Sequence, residues 1–493
     1  MDPISYLFTW ISQEVFGKPA YLIGIMTAIG LIASRRGLGD ILGGTLKATL
    51  GYVILAAGAG IVITALTPFG AIIFGATGAN GVVPTNEAIT ALVNAKPAFG
   101  TDVAYAMFFG VILSLVIARL TPLRYIFLTG HHMLFMATVL TVVLLSQKAT
   151  DALAVVGGAV GLATMMVVMP AFAQPWMKKL TGGQPMAIGH FNTLSYITSG
   201  FLGQYVGKGS RSTEELNLPQ TLKFLRDPMV GTAVSMIVLY LLFGIALLLR
   251  VGEAAAIKAA GGGVTGGVGG FLAAQFGNAL SFGAGVAVIL LGVRTILGEI
   301  IPAFSGIAER VVPGAVPALD IPVTYTFAPN AVIIGFLMSV LGGLVGFVAL
   351  SLVLSPLFAL PLILPGMVPH FFDGAGAGVF GNATGGRRGA VVGGFVNGLI
   401  ITFLAAILVP IMSAIGFVNT TFGDSDFQWF GIVVGNVARL GGVTAVIGVI
   451  VISAILIAAA SWWQRHYVET GWTPGEGNVP APVGAAGAPT PAR

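Results

Sequence analysis

The sequence predicts an all-α polytopic membrane protein with about eleven transmembrane helices. Three observations predict it. Of 493 residues, 56% are hydrophobic and 8% are charged, where a soluble domain carries about 25% charged residues. The mean hydropathy is +0.95. The apolar residues are gathered into runs of about 20, the length that crosses a bilayer as helix. A soluble chain of this size lacks the polar groups to cover such a surface; in a bilayer, lipid solvates it instead. The 71 glycines fit close helix packing in lipid.

The opening MDPISYLFTWISQEVFGK (1–18) lacks the basic start of a secretory leader and reads as an amphipathic entry segment. Apolar runs follow at Tyr21–Ser34, Ala48–Leu66, Val103–Ala118, Ile126–Ser146, Leu153–Ala173, Met229–Leu249, Phe271–Leu297, Gly389–Ile415 and Leu440–Ala460. The stretch Ala328–Leu364 is long enough for two crossings, with Gly342, Gly343 and Pro356 as candidate breaks. These runs define a transporter domain over 19–467 and a Pro/Ala/Gly-rich tail, 468–493, expected to be disordered. GGGVTGGVGG, from Gly261, reads as a flexible external linker.

The net charge of +5 invites a nucleic-acid reading. The positions of the basic residues argue against one. Arg35, Arg36, Arg119, Arg124, Lys178, Lys179, Lys208, Arg211, Lys223, Arg226, Arg387, Arg388 and Arg465 all fall on one side when the crossings alternate. The positive-inside rule makes that side cytoplasmic, with the N-terminus outside and the C-terminus inside. Asp424 and Asp426 then fall on an external loop. There is no cysteine, so no disulfide, thiolate metal site or phosphocysteine resides on this chain.

Two polar, Gly-rich stretches interrupt the apolar pattern: TGGQPMAIGHFNTLSYITSGFLGQYVG (181–207) and PGMVPHFFDGAGAGVFGNATGG (365–386). Irregular backbone at membrane depth persists where it is buried in protein or lines a wet cavity, so both read as re-entrant hairpins. Gly51, Gly58 and Pro68 match Gly285, Gly292 and Pro302 at constant spacing, and Pro185, His190 and Phe191 match Pro365, His370 and Phe371. This resembles an inverted-topology repeat, about 19–207 and 228–416, followed by a final helix at about 440–460.

Polar groups within apolar spans are costly and so mark function. His131 and His132 of LTGHHM lie about 100° apart on a helix, so one faces a cavity while the other meets a neighbouring helix. His190 lies in the first polar hairpin. Asp320 lies among the helix breakers Pro313, Pro317, Pro322 and Pro329, where a carboxylate can accept hydrogen bonds from sugar hydroxyls. Asn86, Glu87, Asn192, Thr193 and Asn330 complete the set, and Arg294 and Glu299 read as a structural ion pair. The apolar spans hold no Arg cluster for an organic phosphate, no metal-specific spacing and no phosphate-binding loop. The inventory fits a small polyhydroxy substrate and calls for no cofactor or metal.

LTGHHM, MAIGHFNT, RVVPGAVPALDIP, YTFAPNAVIIGF and LPGMVPHFFDGAGAGVFGNATGG, in this order, resemble the ascorbate-type membrane component (enzyme IIC) of the bacterial phosphoenolpyruvate-dependent sugar phosphotransferase system. The resemblance implies a homodimer in the bacterial cytoplasmic membrane. Each subunit would have a substrate-carrying core domain and a V-shaped dimerisation domain, and would carry L-ascorbate by an elevator motion. A separate cytoplasmic IIB phosphocarrier, fed by IIA and the general phosphocarriers, would phosphorylate the substrate. By motif, His131, His190 and Asp320 would contact it. Phe135 and Phe191 stand where the family pattern has glutamines, and Glu87 where it has a tyrosine. These replacements widen the substrate class to another sugar, polyol or acidic carbohydrate. An ion-coupled secondary transporter of a polyhydroxy solute would share the same sequence features.

Overall fold

The computed structural model describes residues 10–16, 19–77, 82–84, 97–147, 149–216, 228–308, 312–412 and 420–476, together with Asn86, Ile89, Thr90 and Val93. Glu87 and the chain beyond 476 lie outside the described residues.

The elements, in order, are α1 (Pro19–Ala33), α2 (Leu38–Thr77), β1 (Val83–Pro84), α3 (Pro97–Leu120), β2 (Tyr125–Phe127), α4 (Gly130–Ser146), α5 (Asp151–Thr181), β3 (Ala187–Ile188), α6 (Thr193–Val206), α7 (Pro228–Val251), α8 (Gly267–Ala308), β4 (Val316–Leu319), α9 (Pro329–Ala349), α10 (Met367–Met412), β5 (Thr420–Thr421), α11 (Ser425–Ala438) and α12 (Gly442–Trp463). The chain is predominantly helical. Among the described residues, four helices are long and apolar enough to cross a membrane by length and composition: Asp151–Thr181, Pro329–Phe358, Val368–Met412 and Gly442–Val468.

Two expected helices are much longer than their apolar runs. The run Ala48–Leu66 becomes the 40-residue α2, with Pro68 inside it, and Phe271–Leu297 becomes the 42-residue α8. A helix in lipid tolerates an internal proline because neighbouring groups take up the freed carbonyl. The two long helices pack on each other and on α7. Their apolar cluster includes Phe69, Tyr240, Phe271, Phe282, Phe336 and Phe371. A second, larger cluster joins α3, α4, α5, α6, α11 and α12. Lys47 and Glu299 tie α2 to α8 at 3.1 Å; the side chain of Arg294, the expected partner of Glu299, lies outside the described residues.

The second polar stretch is more regular than expected. Its backbone is helical and not irregular, and it forms the first arm of α10. The helix breaks at Gly386 (φ 56, ψ −145), a conformation open only to glycine. Around this break, a Cβ placed on Gly389 would overlap the Gly381 carbonyl, so the two arms run back along each other as a helical hairpin. The sequence misled because a glycine-rich helix and a glycine-rich loop have the same composition. The first stretch does contain irregular backbone: β3 and the loop 189–192 precede α6.

The prolines at 313, 317 and 322 stop α8 from continuing into α9 and leave β4 extended. β4 is the central strand of a parallel three-stranded sheet, β2–β4–β3, and β1 pairs parallel with β5. Val82 also bridges Ile363. Backbone groups of interrupted helices, which lipid cannot satisfy, thus bond to one another across distant parts of the chain.

The beginning of the tail is ordered. Trp472 packs edge-on against Trp176, Trp463 and Tyr467, with ring centroids 5.3–6.0 Å apart. Lys178 Nζ donates to the Val468 carbonyl at 2.9 Å and Lys179 Nζ to the Gly475 carbonyl at 3.0 Å. Composition hid this because a single tryptophan anchors a segment that is otherwise Gly- and Thr-rich. Trp472→Ala is expected to cost about 1–2 kcal/mol and to speed proteolytic trimming from the C-terminus, with wild-type cleavage kinetics as the contrary result.

Candidate functional site

Four helix N-termini meet around one cluster of imidazoles and carboxylates. His131 and His132 occupy the first turn of α4, His190 the loop before α6, Asp373 the first arm of α10, and Asp424 the N-cap of α11. Asp320 follows β4 directly. Helix N-termini carry a partial positive charge, which favours carboxylates held at that depth.

His190 is the hub. Its Nδ1 lies 2.8 Å from Asp320 Oδ1 and its Nε2 lies 3.1 Å from Asp373 Oδ1. Asp424 Oδ2 is 3.7 Å from the same Nε2. His131 Nε2 approaches Asp320 Oδ2 at 3.6 Å, and His132 Nδ1 approaches Asp424 Oδ2 at 3.7 Å. His132 Nδ1 also accepts the Phe191 backbone N–H at 3.2 Å. The His132 and His190 rings are 3.9 Å apart between centroids. Among the described residues the cluster is exposed at one edge: the His131 and Asp320 side chains keep 22% and 18% exposure, while His132, His190, Asp373 and Asp424 keep 5% or less. A ligand entering from that edge meets His131 and Asp320 first.

This geometry assigns different work to His190 and Asp320. Both His190 nitrogens are engaged by carboxylates, so neither offers a lone pair to a substrate hydroxyl, whichever partner holds the proton. Asp320 Oδ2 meets His131 Nε2 at 3.6 Å and is the less tightly engaged of the two carboxylate oxygens. Its Oδ1 is fixed by His190 and by the Ile321 N–H at 2.8 Å.

The other expected residues divide. Phe135 flanks the open edge, its ring edge-on to His131 at 5.7 Å. Asn86 ties the cluster to the chain around it: its Nδ2 donates to Asp424 Oδ1 at 2.6 Å and its Oδ1 accepts the Gly423 N–H at 2.7 Å. Phe191 is fully buried; its ring stacks on Phe127 at 4.6 Å and meets the His132 ring edge-on at 6.0 Å, and its backbone N–H bonds to His132. Asn192 and Thr193 are fully buried as well and bond to protein. Asn330 is not at the cluster: its backbone N–H donates to Glu214 and its Nδ2 to the Thr213 carbonyl, which makes it an anchor for the chain after α6. His370 bonds to Ser339 at 2.8 Å, and Ser339 in turn connects through Asn397 to Asn192.

Sequence reasoning missed Asp373, Asp424 and Asp426. Asp373 lies one helical turn after His370 in PHFFDG, a lone charge in an apolar run. Asp424 and Asp426, assigned to an external loop, are buried, with 3% and 0% exposure. The GDSDF pattern, acids at and just after a helix start, was the signal that a buried N-terminus stood there.

The family model described as "PTS system sugar-specific permease component" matches residues 14–426. A curated relative, the "Ascorbate-specific PTS system EIIC component" of Mycoplasma pneumoniae, is 28% identical over 444 residues, which is 81% of this chain and 66% of the relative's length.

Proposed function

Because this chain belongs to the family of sugar-specific permease components of the phosphotransferase system, and is therefore an integral membrane protein, we propose that it is the permease subunit that takes up L-ascorbate or a related sugar or polyol while a separate phosphocysteine protein phosphorylates it. The observation that carries this reading is the His190–Asp320–Asp373 array at converging helix ends, exposed among the described residues along His131 and Asp320. Such an array, with the His131 imidazole at its edge, offers a carboxylate and an imidazole to hydroxyls and lacks the guanidinium fork that grips a phosphate. The product leaves as a phosphate ester that the site has no means to hold.

An inverted repeat accounts for the order of elements. The series α2, β1, α3, β2, α4, α5, β3, α6 is answered by α8, β4, α9, the Ile363 bridge, the two arms of α10, β5 and α11. In this register the second half extends to 438, and His131 stands opposite His370 and His190 opposite Asp424. The matching letters of His190 and His370 give a different register. The larger apolar cluster, with the site, would be the moving core. The α2–α7–α8 group, with its separate apolar cluster, would form the dimerising frame of an elevator. The tail and the basic residues Lys178 to Arg211 would face the cytoplasm and the IIB phosphocarrier.

In mechanism, the substrate binds at the open edge, and its differential affinity for the two positions of the core shifts their populations. The IIB phosphocysteine then transfers its phosphoryl group to a substrate hydroxyl. Asp320 Oδ2 is placed to accept the proton that the hydroxyl loses. The decisive test is uptake by vesicles containing the purified protein. Accumulation is expected to require internal phosphoenolpyruvate with the general phosphocarriers, IIA and IIB, and to yield a sugar phosphate. Uptake driven by a proton or sodium gradient alone would replace this reading with the secondary transporter.

A further inference from the structure

The two helix ends that carry His190 and Asp424 are capped by each other's side chains. Asp426, in the first turn of α11, accepts the Thr193 and Leu194 backbone N–H groups of α6 at 2.8 and 3.0 Å. Asn192, the N-cap of α6, accepts the Ser425 N–H of α11 at 3.0 Å. The Asp426 N–H in turn donates to the Phe191 carbonyl at 2.9 Å. Neither helix caps itself: neither Asn192 nor Asp424 makes a side-chain cap within its own helix.

We infer that Asp426 and Asn192 are positioning residues, a reciprocal cap that holds α6 and α11 head to head and so sets the spacing of His190, His132 and Asp424. The inference rests on the proposed substrate site and assigns two residues a role in it without substrate contact. The bonds of the cap are 2.8–3.0 Å long and each involves a backbone N–H, and two go to the same carboxyl group. Asp426 also accepts the Trp429 indole N–H at 3.0 Å, which fixes its rotamer. Asn192 Nδ2 donates to Asn397 Oδ1 at 2.9 Å, which fixes the amide with its oxygen toward Ser425. The consequence reaches the site through Phe191. Its carbonyl is held by Asp426, its N–H is bonded to His132, and the preceding residue is His190, whose carbonyl accepts the Thr193 hydroxyl at 2.6 Å. A loosened cap displaces His190 and His132 together. Pulling the halves of the site apart during transport would break these bonds at once, so the site travels as one piece.

The test uses the full-length protein in detergent with its five histidines labelled with 15N. In Asp426→Asn and Asn192→Ala, the His190 and His132 ring resonances are expected to shift while His466 stays in place. The dissociation constant for whichever of L-ascorbate, pentitols and hexitols the wild type binds is expected to rise about 10–100-fold, the range a displacement near 1 Å produces. Asp426→Glu, which keeps the charge, is expected to recover part of that loss. Unmoved rings, or an unchanged dissociation constant in a folded variant, would overturn the inference. If Asp426→Asn does not fold, Asn192→Ala decides by the same two readings. If the wild type binds none of these solutes, the substrate reading fails, and the ring resonances alone decide the cap.

Discussion

Asp320→Asn is expected to weaken substrate binding by about 100-fold or more, from the loss of charge-assisted hydrogen bonds and the unpaired partners left behind. Three effects add. The open-edge acceptor becomes an amide that must turn either its oxygen or its NH2 toward the ligand. His190 loses its shortest carboxylate contact, 2.8 Å, and keeps the 3.1 Å contact to Asp373. His131 loses the carboxylate at 3.6 Å. Phosphorylation-coupled uptake is expected to fall further than binding, because the proposed acceptor of the hydroxyl proton is gone. Isothermal titration separates the two losses from uptake rates. A variant that binds within about threefold of wild type, a difference well under 1 kcal/mol, would remove Asp320 from the site.

Gly389→Leu is expected to prevent the helical hairpin from forming. A Cβ there overlaps the Gly381 carbonyl of the opposite arm, with no flexible side chain to yield. Overpacking of this kind costs about 1–3 kcal/mol where side chains can shift, and more against backbone. The expected result is loss of monodisperse protein on size exclusion. Gly43→Ala, on α2 where an added Cβ meets nothing within 4 Å, is the matched control. It is expected to be neutral or stabilising by up to about 1 kcal/mol, from helix propensity alone. Equal behaviour of the two variants would contradict the hairpin geometry.

Composition and run lengths made the membrane class and most helices legible, because lipid leaves the apolar runs uninterrupted. Helix ends were less legible: α2 and α8 extend past their apolar runs into polar residues that a hydropathy scan stops at. His131, His190 and Asp320 were readable as rare polar groups beside proline and glycine breaks. Asp373 and Asp424 were not, since their partners lie far away in sequence and an isolated acid reads equally well as a loop charge. Phe191 meets His132 with its ring and its backbone N–H together, and the second of these a sequence does not display.

The bond from Asn86 to Asp424 spans 338 positions of chain, and β4 is sandwiched between two strands synthesised long before it. A ribosome has therefore threaded nearly the whole protein into the bilayer before these partners exist. Until β4 is made, β2 and β3, which lie beside the histidines, lack the strand that pairs with both. Truncations just before residue 424 should accordingly be recognised by quality-control proteases, while the full-length chain matures.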